Sequence, residues 1–337
     1  LDCGLRILDL RKQRYALPDF KGLKLQNPNS KIQNQNGALM KYISGKYLTL
    51  SLLLLLVIPN LSSAEPLSVY VVNYPLKYFA ERIGGEHVRV SFPAPSDGDP
   101  AYWIPDVDAI GAYQQADVIL LNGAGYAKWV QKVSLPRFRM VDTSRQLKDR
   151  YLTTESAVTH SHGQSGEHAH EALAFTTWLD FDLAAAQALA VTAALTRSRP
   201  RFKADFEAGY LALEKDLMEL DHQMKAIVAR NPTLPVVVSH PVYDYLAHRY
   251  NLNARAVHWE PDQVPTVAQM NELKVLLKGH PAKWMIWESE AVPGAVQALT
   301  NIGMGSVVFN PCGNVPESGD FMTVMQANIL NLAAIFK

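Results

Sequence analysis

The chain is built on one repeated alternation. Short runs rich in β-branched and aromatic residues, "LSVYVVN" (67–73), "VRVSFPAP" (88–95), "ADVILLNG" (116–123) and "RMVDTS" (139–144), are separated by 75–85, 105–115 and 126–133, each long enough for a helix. The layout returns in "PVVVSH" (235–240), "RAVHW" (255–259), "KWMIWES" (283–289) and "SVVFNP" (306–311), with helical segments at 241–250, 266–279, 291–302 and 320–337. Strands that alternate with helices pair in parallel. The expected fold class is therefore α/β: two lobes, each with a parallel sheet flanked by helices.

Between the two rounds runs "PRFKADFEAGYLALEKDLMELDHQMKAIVARN" (200–231). Phe202, Phe206, Tyr210, Leu213, Leu217, Leu220, Met224 and Ile227 recur at three- and four-residue spacing. Pro200 suits a first helical turn and Asn231-Pro232 stops the helix. At 1.5 Å per residue the rod spans roughly 45 Å, more than one lobe needs. It reads as one long rigid helix joining an N-terminal lobe (65–199) to a C-terminal lobe (232–337). Open α/β sheets bind ligands beyond the carboxyl ends of their strands, which places the expected site in the cleft between lobes.

Upstream the character differs. Residues 1–39, with "LQNPNSKIQNQNG", are Asn/Gln-rich with little apolar periodicity and read as an upstream extension with no structural role. From Met40, "MKYISGKYLTLSLLLLLVIPNLSSAEP" has Lys41 and Lys46, an apolar run over 47–58, and the small-residue end Ser62-Ser63-Ala64. That is the layout of a signal peptide (40–64) cleaved after Ala64, and its apolar core falls short of the roughly 20 residues of a membrane span. The expectation is export to a periplasm as a monomer, with no lipid anchor, since no cysteine stands at the cleavage point. What remains carries 23 Lys/Arg against 29 Asp/Glu. A mildly acidic chain lacks the basic footprint of a nucleic-acid binder. Cys312 is then the single thiol, either a small buried hydrophobe or a reactive or metal-binding group.

"HSHGQSGEHAH" (160–170) places His160, His162, His168 and His170 within eleven residues. Neutral imidazole is the commonest metal donor, so this stretch is expected to handle metal.

The segments "VNYPLKYFAERIGGEHVRV", "QQADVILLNGAGYAKWVQK", "TTWLDFDLAAAQALA", "VVVSHPVYDYLAHRYNL" and "WEPDQVPTVAQMNELKVLLK" resemble, in order, the periplasmic zinc- and manganese-binding receptors of ABC transporters. The resemblance covers about 66–337. It implies two α/β lobes joined by a long helix, a metal ion held in the cleft, a His-rich loop where 160–170 stands, and an ABC permease as partner.

The ligand positions that the resemblance implies are largely altered. "DPAYWIP" has Ala101 where the family offers a histidine, and Thr176 stands two residues before the Trp of "WLD" where a second is usual. His240 in "SHPVYDYLAHRY" matches the third. Asn310 in "FNPCGN" replaces an acid, and Glu288 in "WESE" is kept. Zn²⁺ favours about four imidazole, thiolate or carboxylate ligands, so the inherited cage is incomplete.

Two readings of the cleft stand. In one it binds a transition metal, zinc first and Mn²⁺ or another divalent metal as alternatives, through two or three imidazoles of 160–170 joined in the cleft by His240, Glu288 or Cys312. In the other, Tyr102, Trp103, Trp178, Tyr243 and Trp259 line a pocket for a small organic molecule or metal chelate, with Thr176, His240, Asn310 and Glu288 as polar groups. No organic cofactor is expected. An enzyme is not expected either: His240 with Asp244 at i,i+4 and a distant Cys312 stand without an elbow motif, phosphate loop or "HExxH". His87, His222, His248, His258 and His280 read as histidines without partners at ligand spacing.

Overall fold

The computed structural model describes residues 65–154 and 173–337. The readings placed on 1–64 and on His160, His162, His168 and His170 lie outside the described residues, which belong to one compact unit.

The first sheet holds β1 (Leu67–Val71), β2 (Val88–Ser91), β3 (Val118–Leu121) and β4 (Met140–Asp142), in spatial order β2-β1-β3-β4. The second repeats that order with β5 (Pro235–Val238), β6 (Asn253–Ala256), β7 (Trp284–Trp287) and β8 (Gly305–Val308), as β6-β5-β7-β8. Every pairing is parallel. The central strands explain why: Val118, Ile119 and Leu120 of β3 and Val236, Val237 and Val238 of β5 are buried in succession, as strands covered on both faces must be.

The first lobe carries α1 (Tyr74–Gly84), α2 (Val107–Gln115) and α3 (Phe181–Ser198). Each starts on a side-chain cap: Asn73 accepts from the Leu76 N–H, Asp106 from Ala109, and Asp180 from Asp182 and Leu183. A 3₁₀ turn at Pro200–Phe202 leads into α4 (Lys203–Val228), 26 residues long. The second lobe carries α5 (Asp244–Tyr250), α6 (Val267–Gly279), α7 (Pro293–Thr300) and α8 (Phe321–Ile335).

The long helix α4 packs on α1 and α3 of the first lobe and on α8 and α5 of the second. Phe206, Leu213, Leu217 and Met224 form its fully buried stripe. Gly209 lets it lie close to α1, since an added Cβ would sit 2.7 Å from the Ile83 carbonyl oxygen. Arg249 of α5 donates to both Asp221 oxygens, at 2.9 and 3.0 Å, and lies 3.5 Å from Asp180. That one guanidinium therefore ties α4 to both lobes.

Direct bonds also cross the cleft floor. Trp178 Nε1 donates to the Pro311 carbonyl at 2.7 Å, and Asn314 Nδ2 donates to the carbonyls of Pro95 and Gly98 at 2.8 and 2.7 Å.

One expected helix is absent. Residues 126–133 form only a 3₁₀ turn at Lys128–Lys132. The backbone leading into it is left-handed at Gly123, Ala124, Gly125 and Ala127, which an α-helix cannot incorporate.

Candidate functional site: a cleft beyond the strand ends

In an order of 2-1-3-4 the chain reverses direction across the sheet between strands one and three, and a crevice opens there at the carboxyl ends. The two lobes fill that crevice differently. In the first it holds Asn73 after β1 and Asn122 after β3, both buried, with Asn73 Nδ2 donating to Asn122 Oδ1 at 3.2 Å. Gln187 Nε2 donates to Thr143 Oγ1 at 3.0 Å, and Thr177 donates to Gln187 at 2.9 Å. This is a neutral network satisfied from within.

In the second lobe the same crevice holds His240 after β5 and Glu288 after β7. Burial strips water from His240 and pushes its pKa down, against the opposing pull of Glu260, so the ring is neutral at pH 7 and has a lone pair to offer. Its Nδ1 is buried with no hydrogen-bond partner among the described residues. Its Nε2 lies 3.9 Å from Glu260 Oε1, and the His258 ring stands 5.8 Å away, nearly perpendicular.

The pKa of Glu288 is raised to about 7, first by burial and then by the charges of Glu260 and Asp99. Asp99, on the first-lobe loop that faces this crevice, is also raised, chiefly by desolvation, although the Ala101 N–H donates to it at 2.8 Å. Among the described residues, no lysine or arginine figures among the charges acting on Asp99, His240 or Glu288. Among the described residues, three carboxylates and two imidazoles thus act on one another with no lysine or arginine among them. Nearby, the Tyr126 hydroxyl is buried without a hydrogen-bond partner among the described residues, and Asp99 is one of the charges acting on it.

The other expected site residues serve elsewhere. Thr176 is buried, and its hydroxyl donates to the Val242 carbonyl at 2.6 Å, so it straps one lobe to the other. Asn310 accepts from the Cys312 N–H at 2.7 Å, and its backbone is held on both sides by Asn328. Cys312 is buried in a left-handed turn with its thiol pushed up to about 12, first by burial and then by Asp320, so it is the inert alternative. Ala101 is buried in the core.

The aromatic wall of the organic-ligand reading does not form. Trp178, Tyr243 and Trp259 are 1%, 2% and 3% exposed, because each packs into the core and the first two spend their polar atoms on the carbonyls of Pro311 and Phe309. Trp103 packs edge-on against Trp129, 6.1 Å away. Tyr102 stays open to solvent at 61%, with the Lys128 ammonium 5.2 Å over its ring. Asp244 is the first residue of α5, while His240 lies before that helix, so the pair does not share a helical face.

Of the histidines read as unpartnered, His87 meets Asp205 at 3.0 Å and His280 meets the Val236 carbonyl at 2.9 Å. His258 was misplaced by that reading, since it stands beside His240 in the cleft. Sequence reasoning also missed Asp99 and Glu260. The usable signal was alternation in "VHWEP": Trp259 is buried, so 258 and 260 face the other way.

Among the described residues no three His, Cys, Asp or Glu side chains converge in the geometry that holds a metal ion. None of the described helices is long and apolar enough to cross a membrane.

The family model for the zinc-uptake complex component A, periplasmic, matches residues 69–335. The chain belongs to this family. As a member of the zinc-uptake component A family, it is 26% identical over 260 residues to the high-affinity zinc uptake system protein ZnuA of Bacillus subtilis (strain 168), covering 74% of this chain and 79% of that protein. Among solved structures, the metal-dependent lipoprotein YcdH of Bacillus subtilis superposes with a TM-score of 0.69 at 22% identity, covering 80% of this chain and 98% of that one. The Zn(II)-bound ZnuA-like domain of AdcA from Streptococcus pneumoniae gives 0.68 at 19% identity, with 80% and 98% covered. At those identities the structural likeness speaks for the component A fold alone.

Proposed function

We propose that this chain is the solute-binding component of an ABC transporter, capturing a transition metal, zinc first, in the cleft between its lobes. It works in a periplasm after removal of the 40–64 signal peptide and hands its cargo to a permease. The observation that carries this reading is His240: a neutral imidazole at the β5/β7 crevice, with carboxylates from both lobes acting on it and, among the described residues, no lysine or arginine acting on them.

Chemistry assigns the roles. His240 supplies the imidazole, and Glu288 binds as a carboxylate once the ion displaces its proton. Zn²⁺ takes about four ligands, so two or three of His160, His162, His168 and His170 supply the imidazoles that Ala101 and Thr176 do not. Thr176, Asn310 and Cys312 act as bracing around the cleft. The tie through α4 keeps lobe closure small.

Calorimetric titration of Zn²⁺ into the full chain tests the reading, beside His240→Ala and a variant with all four loop histidines changed to alanine. One tight site lost in His240→Ala is the expected result. Weak multi-site binding that vanishes with the loop histidines and ignores His240 would overturn it.

A further inference from the structure

One stretch of the first lobe runs against the charge of the chain around it. From Ala124 to Val141 there are four cations, Lys128, Lys132, Arg137 and Arg139, and no acid, although 65–337 carries more Asp and Glu than Lys and Arg. Two of the four are engaged locally. The Lys128 ammonium lies over the Tyr102 ring, and the Arg139 guanidinium donates to the carbonyls of Ala116 and Gln114 at 2.8 and 3.1 Å. Lys132 and Arg137 are exposed, and neither has an ion pair among the described residues.

The same loop holds an aromatic ring out to solvent. Phe138 is 84% exposed, on a 3₁₀ turn at Arg137–Arg139 that leads into β4. That turn is braced. The Arg139 N–H donates to the Pro136 carbonyl at 2.9 Å, and Gln114 Nε2 of α2 donates to the Ser134 carbonyl at 2.8 Å. The Arg139 guanidinium, tied to the end of α2, stands 5.3 Å from the Phe138 ring centroid, within cation–π range. Lys132 and Arg137 also line one depression with the apolar side chains of Val130, Val133, Leu135 and Met140. The patch sits at the amino end of β4, the edge strand of its sheet, whereas the cleft lies beyond the carboxyl ends.

A protruding aromatic beside unpaired cations matches one kind of surface best. An acidic protein would satisfy the cations, but interface aromatics of that kind are anchored in a partner's pocket. The face of an anionic bilayer satisfies both parts at once, with headgroup phosphates for the cations and the headgroup–acyl boundary for the ring. We propose that Lys132, Arg137 and Phe138 form a contact site for an anionic phospholipid surface. Contact there is reversible, and it leaves the cleft at the other end of the sheet unobstructed. The inference goes beyond the metal-capture reading and does not depend on it.

The test is co-sedimentation of the full chain with phosphatidylglycerol–phosphatidylcholine vesicles beside pure phosphatidylcholine vesicles. Wild type is compared with Lys132→Gln/Arg137→Gln, with Phe138→Ser, and with Lys274→Gln/Lys278→Gln, which removes two exposed lysines of α6. Segment 40–64 is common to all four, so only differences between them are read, and thermal unfolding checks the fold. A cation near an anionic membrane contributes roughly 1 kcal/mol, about fivefold in affinity. The expected result is a wild-type preference for the phosphatidylglycerol vesicles that falls fivefold or more in Lys132→Gln/Arg137→Gln, weakens in Phe138→Ser and survives in the α6 variant. A smaller fall, an equal fall in the α6 variant, or unchanged binding in Phe138→Ser overturns the inference. Capture of soluble polyglutamate with no preference between the vesicles also overturns it, and assigns the patch to an acidic protein instead.

Discussion

The Thr176 hydroxyl donates to the carbonyl of Val242 across the lobe boundary, at 2.6 Å. A position where the resemblance implies a metal ligand has become a fastener, and its loss should read out in stability before it reads out in binding. Thr176→Val keeps the shape and takes away the hydroxyl that the half-buried Val242 carbonyl accepts from. The expected cost is about 1–3 kcal/mol, measured by chemical denaturation, with Zn²⁺ affinity altered less than in His240→Ala.

Removing the Arg249 guanidinium takes away the shared cation of Asp221 and Asp180, leaving Asp221 to Lys225 and Asp180 to Arg150. Arg249→Met is expected to lose about 1.5–3 kcal/mol by the same assay, and equal stability of variant and wild type would refute the tie between lobes and helix.

The same network makes a pH prediction. Burial alone would raise the Asp221 pKa, but hydrogen bonds from Arg249 and Lys225 outweigh it and hold the carboxyl below the ordinary value. A folded pKa below the unfolded one favours the ionised form in the fold. The contribution is therefore complete above the unfolded value, near 3.9, and is lost as pH falls through the folded one. The stability gap between wild type and Asp221→Asn should be widest near neutrality and shrink below about pH 4. A gap that is constant down to pH 2 would count against it.

How far the sequence reached depends on what each feature requires. The eight strands and the long helix were legible because burial writes itself locally: three valines in a row at 236–238, an apolar stripe from Phe206 to Met224. The site was legible only in part. His240 and Glu288 end strands and could be read in place. His258, Glu260 and Asp99 become neighbours of His240 only through the order β6-β5-β7-β8 and the meeting of two lobes, which no local pattern encodes. Gly123 and Gly125 do signal the left-handed backbone that replaced a helix over 126–133, whereas Ala124 and Ala127, left-handed as well, carry no such signal.

Gly209 offers a check on packing. Gly→Ala inside a helix ordinarily gains about 1 kcal/mol. Here the new methyl would press on the backbone of Arg82 and Ile83, 2.7–2.9 Å away, which cannot rotate aside. Gly209→Ala is expected to lower the melting temperature, and a rise would show that α1 and α4 have room to part.

Cys312 should be silent in the folded protein. With its thiol near 12 and buried, alkylation by iodoacetamide at pH 8 is expected at this residue only after denaturant is added. Peptide mapping by mass spectrometry reads it directly, and modification under native conditions would reopen a place for the thiol in the cleft.

The contrast between the two crevices has a consequence for unloading. Asn73 donates to Asn122 within the first lobe, whereas the second leaves the buried His240 Nδ1 without a hydrogen-bond partner among the described residues. Cargo held on His240 and Glu288 would ride on one half of the molecule with the other as its roof, Asp99 being the first-lobe charge that acts on both His240 and Glu288 among the described residues. Lifting that roof would have to break the bonds by which Asn314 holds Pro95 and Gly98 and Thr176 holds Val242, so release is coupled to those fasteners as well as to the ion.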